Sequence, residues 1–199
     1  MVDYQCFMKI GLYFGSFNPI HNGHLIIASH IANNSELNQV WFVVSPHNPL
    51  KKTTSLLNEY HRFHMLQSAI EGENKLRVSN VEFKLPKPSY TVDTLTYLKE
   101  KHPEHEFAII MGSDSYSNID KWKNYQLLLK NYSIYIYIRP GFEIEKPAEK
   151  NIKIINAPLL EISSTRIREL IKNNKTFRYL VPDVVKEEIE KNSYYKSKR

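Results

Sequence analysis

Short, continuous apolar runs alternate along this chain with longer stretches of helical periodicity, and this alternation restricts the fold more than any other feature. Gln39 to Val44 and Glu106 to Met111 are apolar runs bounded by polar residues, as in strands buried on both faces of a parallel sheet. Glu59 to Ile70 instead repeats apolar residues at helical spacing. Because parallel strands need right-handed crossover connections, the order predicts an α/β fold with a mainly parallel, doubly wound sheet and helices on both faces.

The composition is that of an ordinary globular protein. A length of 199 residues, 42% of them hydrophobic and 24% charged, fits one domain over residues 1–199 with a sizeable core. The single cysteine, Cys6, excludes an internal disulfide, and no apolar run reaches the ~20 residues of a membrane span. The sequence therefore predicts a cytoplasmic protein without a membrane partner.

The formal net charge of +6 raises the question of a nucleic-acid partner. Four basic residues among the last nine, with no acidic one, contribute +4 and leave +2 for residues 1–190. We therefore expect residues 191–199 to form a flexible basic tail, and we expect no nucleic-acid groove. Binding that stays steeply salt-dependent after removal of this tail would instead favour a basic nucleic-acid adaptor.

The stretch from Gly11 to His24 concentrates residues suited to phosphate binding. Glycines and an Asn-Pro dipeptide allow a tight loop between a strand and a helix, whose N-terminus offers unpaired N–H groups and partial positive charge. His21 and His24, three residues apart, should share one face of the first helical turn. An ordinary βα turn is the alternative. The predicted phosphate-binding residues are Gly15, Ser16, Phe17 and Gly23, beside the two histidines.

A second cluster of polar residues opens a helix near the C-terminus. In Ile162 to Leu170, I-S-S-T-R-I-R-E-L, Ser163 or Ser164 should cap the helix, so that hydroxyls and N–H groups gather at its positive end. An arginine follows one turn later. These features suit the β- and γ-phosphates of a nucleoside triphosphate, although a capped surface helix is the alternative. The predicted contacts are Ser163, Ser164, Thr165 and Arg168.

Further candidates follow predicted strand ends, where α/β sheets bind ligands. Lys51, in the Pro-rich loop after Val44, either reaches a polyphosphate or faces water. Asp114, just after an apolar run, is placed to accept hydrogen bonds from ribose hydroxyls or to cap the next helix. Arg139 follows the strand-like run Tyr132 to Ile138 and is another ligand candidate.

Ser16 to His24, S-F-N-P-I-H-N-G-H, resembles the T/SF-x-P-x-H-x-GH signature of the nucleotidyltransferase superfamily, and Ile162 to Arg168 resembles its I-S-S-T-x-I-R motif. Pro88 to Leu95, P-S-Y-T-V-D-T-L, narrows the resemblance to bacterial nicotinate-mononucleotide adenylyltransferases. Over roughly residues 7–190, the resemblance implies a Rossmann-like fold. It also implies adenylyl transfer from ATP to nicotinate mononucleotide, giving nicotinate adenine dinucleotide and pyrophosphate in NAD biosynthesis.

The resemblance also implies roles for individual residues. His21 and His24 would act on the phosphates around the α position, and Arg168 would hold the leaving pyrophosphate, with Mg²⁺ carried by ATP oxygens and waters. The residues expected to bind nicotinate mononucleotide are Thr91, Asp114, Trp122, Lys123 and Arg139. We further hypothesise that both histidines are neutral in the free protein, because a helix N-terminus disfavours imidazolium, and take up protons when the triphosphate binds.

Several alternatives stay open from the sequence. A sister transferase would act on phosphopantetheine or nicotinamide mononucleotide, and a non-catalytic nucleotide sensor would use the same pocket. A homo-oligomer is also open. The pairs His61/His64 and His102/His105 have no cysteine or acidic partner at ligand spacing, so we expect surface histidines and no metal site.

Overall fold

The computed structural model describes residues 7–47, 56–144, 149–158 and 160–196. The strands are β1 (Lys9–Gly15), β2 (Gln39–Val44), β3 (Leu76–Ser79), β4 (Glu106–Gly112), β5 (Ser133–Tyr137) and β6 (Ile152–Ile155). The helices are α1 (Asn22–Asn34), α2 (Glu59–Ala69), α3 (Thr91–Lys101), α4 (Ser113–Tyr116), α5 (Tyr125–Asn131), α6 (Ser164–Lys172) and α7 (Asp183–Lys191), with 3₁₀ turns at Val81–Lys84 and Ile119–Lys121. The predictions for Cys6 and Lys51 lie outside the described residues.

The strands form one six-stranded sheet in the order β3-β2-β1-β4-β5-β6, and every neighbouring pair is parallel. The order reverses between β1 and β4, and doubly wound sheets bind ligands at such a crevice, beyond the carboxyl ends of the strands. Helices cover both faces: α1, α2 and α7 contribute Ile31, Leu66 and Val185 to one core cluster, and α3 and α5 contribute Leu95 and Leu128 to the other. The predicted Rossmann-like, doubly wound α/β fold is confirmed.

One local expectation differs from the structure, and one further segment divides into two elements. The tight loop expected from Gly11 begins later, because β1 continues to Gly15 and pairs with β2 along that length. The stretch from Leu76 to Phe83 supplies one strand, β3, and then a 3₁₀ turn. Val81 and Glu82 are buried in that turn.

The C-terminal segment corrects the flexible tail expected over residues 191–199. After α7 the backbone turns through left-handed conformations at Ser193 (φ 54°) and Tyr195 (φ 63°). Tyr194 and Tyr195 pack against the core cluster that holds α1, and the hydroxyl of Tyr195 donates to Asn18 Oδ1 at 2.9 Å. The segment is therefore anchored as far as Tyr195. Among the described residues, no helix combines the length and apolar character that a membrane crossing needs.

Candidate active site

Two cavities, of about 340 and 360 Å³, adjoin at the carboxyl ends of the central strands. The one lined by His21 is called the first cavity, and the one lined by Trp122 is called the second cavity. The two cavities share part of their lining, so a ligand in one would lie next to the residues that line the other. The residues common to both linings are Tyr13, Phe14, Gly15, Ser115 and Tyr137.

The loop after β1 is shaped by Phe17. This residue has a left-handed backbone (φ 44°) and a buried side chain whose ring folds back over Gly15. A Cβ on Gly15 would lie 2.8 Å from Cζ of that ring, so a side chain there would displace the ring. Gly15 is therefore needed for the packing of the loop, in addition to lining both cavities. Gly15, Ser16 and Phe17 all line the first cavity, and their contact with phosphate stays a prediction.

His21 and His24 lie against each other in the first cavity. His21 is the N-cap of α1, its Nδ1 accepts the backbone N–H of His24 at 3.4 Å, and the two rings stack with centroids 3.6 Å apart. Burial, with a smaller effect of the positive charge on Arg139, lowers the pKa of His21 to about 3. At neutral pH its ring is therefore neutral. Because Nδ1 is an acceptor, Nε2 carries the hydrogen and can donate to a ligand oxygen.

The start of α1 offers fewer free N–H groups than the sequence suggested. The N–H of Asn22 donates to Leu180 O at 2.9 Å, and those of His24 and Leu25 donate to His21 O at 3.0 and 3.3 Å. Gly23 lines neither cavity; a Cβ there would lie 3.1 Å from Nδ1 of His21, so this glycine makes room for the imidazole. Anion binding at this helix must therefore rely on side chains more than on the helix end.

The start of α6 is bonded directly to the loop after β1. Ser163 is the N-cap and its Oγ accepts the N–H of Arg166 at 3.2 Å, as one of the two predicted caps requires. Ser164 Oγ donates to Pro19 O at 2.8 Å. Arg168 Nη1 donates to Asn18 O at 2.8 Å. These contacts bring the two motifs that are predicted to bind phosphate, far apart in the sequence, into one cavity. The residues Ser163, Ser164, Thr165 and Arg168 all line it.

Asp114 and Arg139 form an ion pair in the first cavity. Arg139 Nη1 lies 3.1 Å from Asp114 Oδ2, and the backbone N–H of Arg139 donates to Ser113 Oγ at 2.8 Å. Both side chains are about one-third exposed. They were expected with the residues that bind the acceptor, but they line the cavity that holds the histidines and not the second one.

The second cavity contains the other three residues predicted for the acceptor: Thr91, Trp122 and Lys123. Thr91 is the first residue of α3, whose N-cap, Tyr90, makes no side-chain capping bond. Ser89 stands just before that N-cap residue, but its hydroxyl donates to Glu82 and does not cap the helix. Trp122 is half-buried on the core cluster that holds α3, and its position beside an uncapped helix end suits a ring that carries an anionic group.

Lys123 is not free to act as an isolated charge. Its ammonium lies 2.8 and 3.0 Å from the carboxylate oxygens of Asp93 and 4.9 Å from the centroid of the Tyr90 ring. The nearby carboxylate balances the positive charge, which reduces its attraction for a second anion. The side chain is also partly exposed, and a contact between Lys123 and the acceptor stays a prediction.

A buried arginine beside the first cavity was missed by sequence reasoning. Arg62 is fully buried in α2, and its guanidinium donates to the carbonyl groups of Ser16, Ser45, Pro46 and Leu57. It thus ties the ends of β1 and β2 to the start of α2. The one available signal was its place within the apolar stripe of the helix.

Buried hydroxyls and a carboxylate near the second cavity were also missed. The hydroxyls of Tyr13 and Tyr137 lie 3.0 Å apart in the wall shared by the cavities, and burial raises the pKa of both. Glu82, 2% exposed, lines the second cavity, and burial raises its pKa while bonds from serine and threonine hydroxyls oppose that rise. No periodicity or spacing in the sequence distinguishes these residues from ordinary strand or turn positions.

The structure corrects one premise about the histidine pairs. Glu104 lies between His102 and His105, with its Oε1 3.7 and 3.6 Å from their ring nitrogens, and the three side chains could in principle ligate a cation. Metal-bound histidines ordinarily bond their second ring nitrogen, yet Nδ1 of His105 is buried without a partner among the described residues. The cluster also precedes β4, at the end of the strand opposite the cavities.

A parallel sheet with this strand order, carrying a histidine- and hydroxyl-lined cavity beside an aromatic one at its crevice, defines a nucleotide-binding α/β protein. The sequence model of the cytidylyltransferase-like family matches residues 12–170. The chain therefore belongs to the cytidylyltransferase-like family.

Curated relatives match almost the whole chain. A probable nicotinate-nucleotide adenylyltransferase of Cytophaga hutchinsonii is 52% identical over 189 residues, which are 94% of this chain and 98% of that protein. Another protein of that name, from Bacillus licheniformis, is 36% identical over 189 residues, 95% and 99% of the two chains. The solved nicotinic acid mononucleotide adenylyltransferase of Plasmodium falciparum, complexed with NaAD, superposes with a TM-score of 0.80 at 24% identity, covering 94% of this chain and 97% of that one. The last match supports the fold.

Proposed function

We propose that this protein transfers the adenylyl group of ATP to nicotinate mononucleotide, forming nicotinate adenine dinucleotide and pyrophosphate in NAD biosynthesis. The observation that carries this proposal is the pair of adjoining cavities. One is lined by His21 and Arg168, and the other is lined by Trp122 and by the uncapped start of α3. The curated relatives named nicotinate-nucleotide adenylyltransferase cover the residues of both cavities.

The reaction joins two phosphates without a covalent enzyme intermediate. An oxygen of the acceptor phosphate bonds to the α-phosphorus of ATP, and the bond from that phosphorus to the β-phosphate oxygen breaks, so that pyrophosphate leaves with the electron pair. A phosphate monoester is largely a dianion near neutral pH, since its second pKa is about 6. No strong general base is therefore required, and the protein must supply alignment and stabilise developing charge.

The first cavity suits the triphosphate. His21 is neutral and presents an Nε2–H donor, and we assign it, with His24, to oxygens of the α-phosphate region. The α6 hydroxyls and Arg168 suit the pyrophosphate that leaves. We also expect both histidines to gain proton affinity when the negative triphosphate binds beside them. A contact between Lys51 and the same phosphates stays a prediction.

Mg²⁺ is expected to arrive with ATP and to neutralise part of the triphosphate charge. Asp114 is the one acidic side chain that lines the first cavity within the described part of the chain, and its carboxylate pairs with Arg139. The residues therefore fit an ion held by ATP oxygens and waters better than a protein cage. The cytoplasmic location and a homo-oligomer stay predictions.

The deciding experiment measures pyrophosphate release with ATP and Mg²⁺, offering nicotinate mononucleotide, nicotinamide mononucleotide and phosphopantetheine separately. We expect a clear preference for the nicotinate acceptor. His24→Ala should lower kcat by roughly 100-fold or more, as loss of a transition-state donor does, whereas His30→Ala, on the same helix but outside both cavities, should not. Absence of turnover with either pyridine nucleotide would refute the proposal, and full activity of His24→Ala would refute the assigned role.

A further inference from the structure

We propose that Glu82 is a positioning residue that holds the start of α3 in the conformation needed to bind the carboxylate of the acceptor. The inference rests on the proposed function for the identity of that acceptor. Glu82 lies in the 3₁₀ turn Val81–Lys84 and is 2% exposed, so its carboxylate must be satisfied by the protein.

Hydroxyl groups from separate segments converge on this carboxylate. Ser89 Oγ donates to Glu82 Oε2 at 2.7 Å and Thr94 Oγ1 donates to Oε1 at 3.0 Å. Ser45, the residue that follows β2, contributes a third hydroxyl bond. Hydrogen bonds to a charged acceptor are among the stronger ones in proteins. Glu82 therefore links the turn, the end of β2 and the start of α3.

Two of these donors bracket the first turn of α3. Ser89 precedes the N-cap residue Tyr90, and Thr94 lies in the first turn after it. Fixing the chain on both sides of Tyr90 and Thr91 fixes the direction of the N–H groups between them. Because Tyr90 makes no side-chain capping bond, that end of the helix keeps its attraction for an anion in the second cavity.

This arrangement also explains how an acidic residue can line a cavity assigned to an anionic ring. The oxygens of Glu82 are engaged by hydroxyl groups, which spread and offset the negative charge. The carboxylate thus acts on the acceptor through the segment that it holds. A shorter side chain at position 82 should loosen the start of α3, whereas an uncharged side chain of the same length should be tolerated.

The test compares Glu82→Ala with Glu82→Gln in steady-state kinetics. Glu82→Ala should raise KM for nicotinate mononucleotide about tenfold or more and reduce the preference for it over nicotinamide mononucleotide, with KM for ATP changed less than about threefold. Glu82→Gln keeps an oxygen acceptor and should return KM to within about threefold of the wild type. Glu59→Ala is the matched control. Glu59 forms a partly exposed ion pair with Lys87, which lies in the connection between Glu82 and α3.

A second measurement does not depend on activity. In the ligand-free protein, the amides of Asp93 and Thr94 donate to Tyr90 O at 3.0 and 3.1 Å, and their hydrogen exchange reports the first turn of α3. Exchange should accelerate about tenfold in Glu82→Ala and not in Glu59→Ala. If the Ala variant does not fold, Ser89→Ala and Thr94→Val each remove one bond and should show a smaller acceleration.

The outcomes separate the two proposals. Absence of turnover of both pyridine nucleotides by the wild-type protein would refute the proposed function. Amide hydrogen exchange at Asp93 and Thr94 would still test whether Glu82 positions the helix. Unchanged exchange and unchanged acceptor KM in Glu82→Ala would overturn the inference. An equal rise of KM for ATP and for the acceptor would also overturn it, since that result indicates a general structural role.

Discussion

Replacing His21 by asparagine should remove the acid sensitivity that this histidine gives to the fold between about pH 6.5 and pH 4. His21 is 3% exposed, and burial, with the nearby charge of Arg139, lowers its pKa from 6.5 to about 3. Asparagine is among the best N-cap residues, so it keeps an acceptor at the start of α1 and cannot titrate. The substitution therefore removes the titration of the imidazole and keeps the N-cap hydrogen-bond acceptor.

The sign and size of the effect follow from the two pKa values. Between pH 6.5 and about 3 the unfolded chain binds a proton at this position and the folded chain does not, so stability falls as the pH falls. Linkage gives a loss of about 2 kcal/mol at pH 5 and about 3 kcal/mol at pH 4, relative to pH 8. These losses are a large fraction of the free energy of unfolding of a typical domain.

Urea unfolding at pH 8, 5 and 4 measures this difference. His21→Asn should be less stable than the wild type by a constant amount at pH 8 but should lose about 2 kcal/mol less on transfer to pH 5. His47→Asn, at an exposed histidine, should follow the wild type. If the wild type and His21→Asn lose the same free energy between pH 8 and pH 5, the burial of a neutral His21 is refuted.

Two further predictions concern residues that support the first cavity. Arg62→Met should lower the free energy of unfolding by about 2–3 kcal/mol in urea, because it leaves buried carbonyls such as that of Ser45 without their Arg62 donor, and a variant as stable as the wild type would contradict this. Tyr195→Phe should raise KM for ATP severalfold with acceptor KM unchanged, because it removes the shorter of two hydrogen bonds to Asn18 Oδ1, the other coming from the N–H of Leu57. Deleting residues 196–199 should leave both constants as they are, and a rise in KM for ATP after that deletion would show that the hydroxyl of Tyr195 is not the anchor.

The features that could be predicted from the sequence are local. His21 and His24 stack because three-residue spacing at a helix start places their rings together, and Ser163 caps α6 because a hydroxyl just before a helix can reach an N–H in its first turn. After their first residues, the strands β2 and β4 are apolar because both faces of the sheet are covered. Each of these properties is decided within one helical turn or one strand.

The features that could not be predicted depend on contacts between distant segments. Ser89 has the sequence context of a helix cap, but its hydroxyl bonds to Glu82, and nothing in the local sequence distinguishes the two uses. Arg62 interrupts an apolar stripe, yet its carbonyl partners come from other loops. Tyr195 lies in a basic segment that composition alone describes as a tail, although its hydroxyl reaches Asn18. Such residues support the site without belonging to its motifs.

The shared wall determines where the chemistry must occur. In-line transfer requires the acceptor phosphate to touch the α-phosphate, so the two ligands must meet where the cavities meet, beside Gly15, Tyr13 and Tyr137. His21 and His24 line the first cavity and not the second. They can therefore act on oxygens of ATP without contacting the pyridine ring. The sequence motif predicts the groups that would stabilise the triphosphate, and the crevice between β1 and β4 is where the acceptor would reach them.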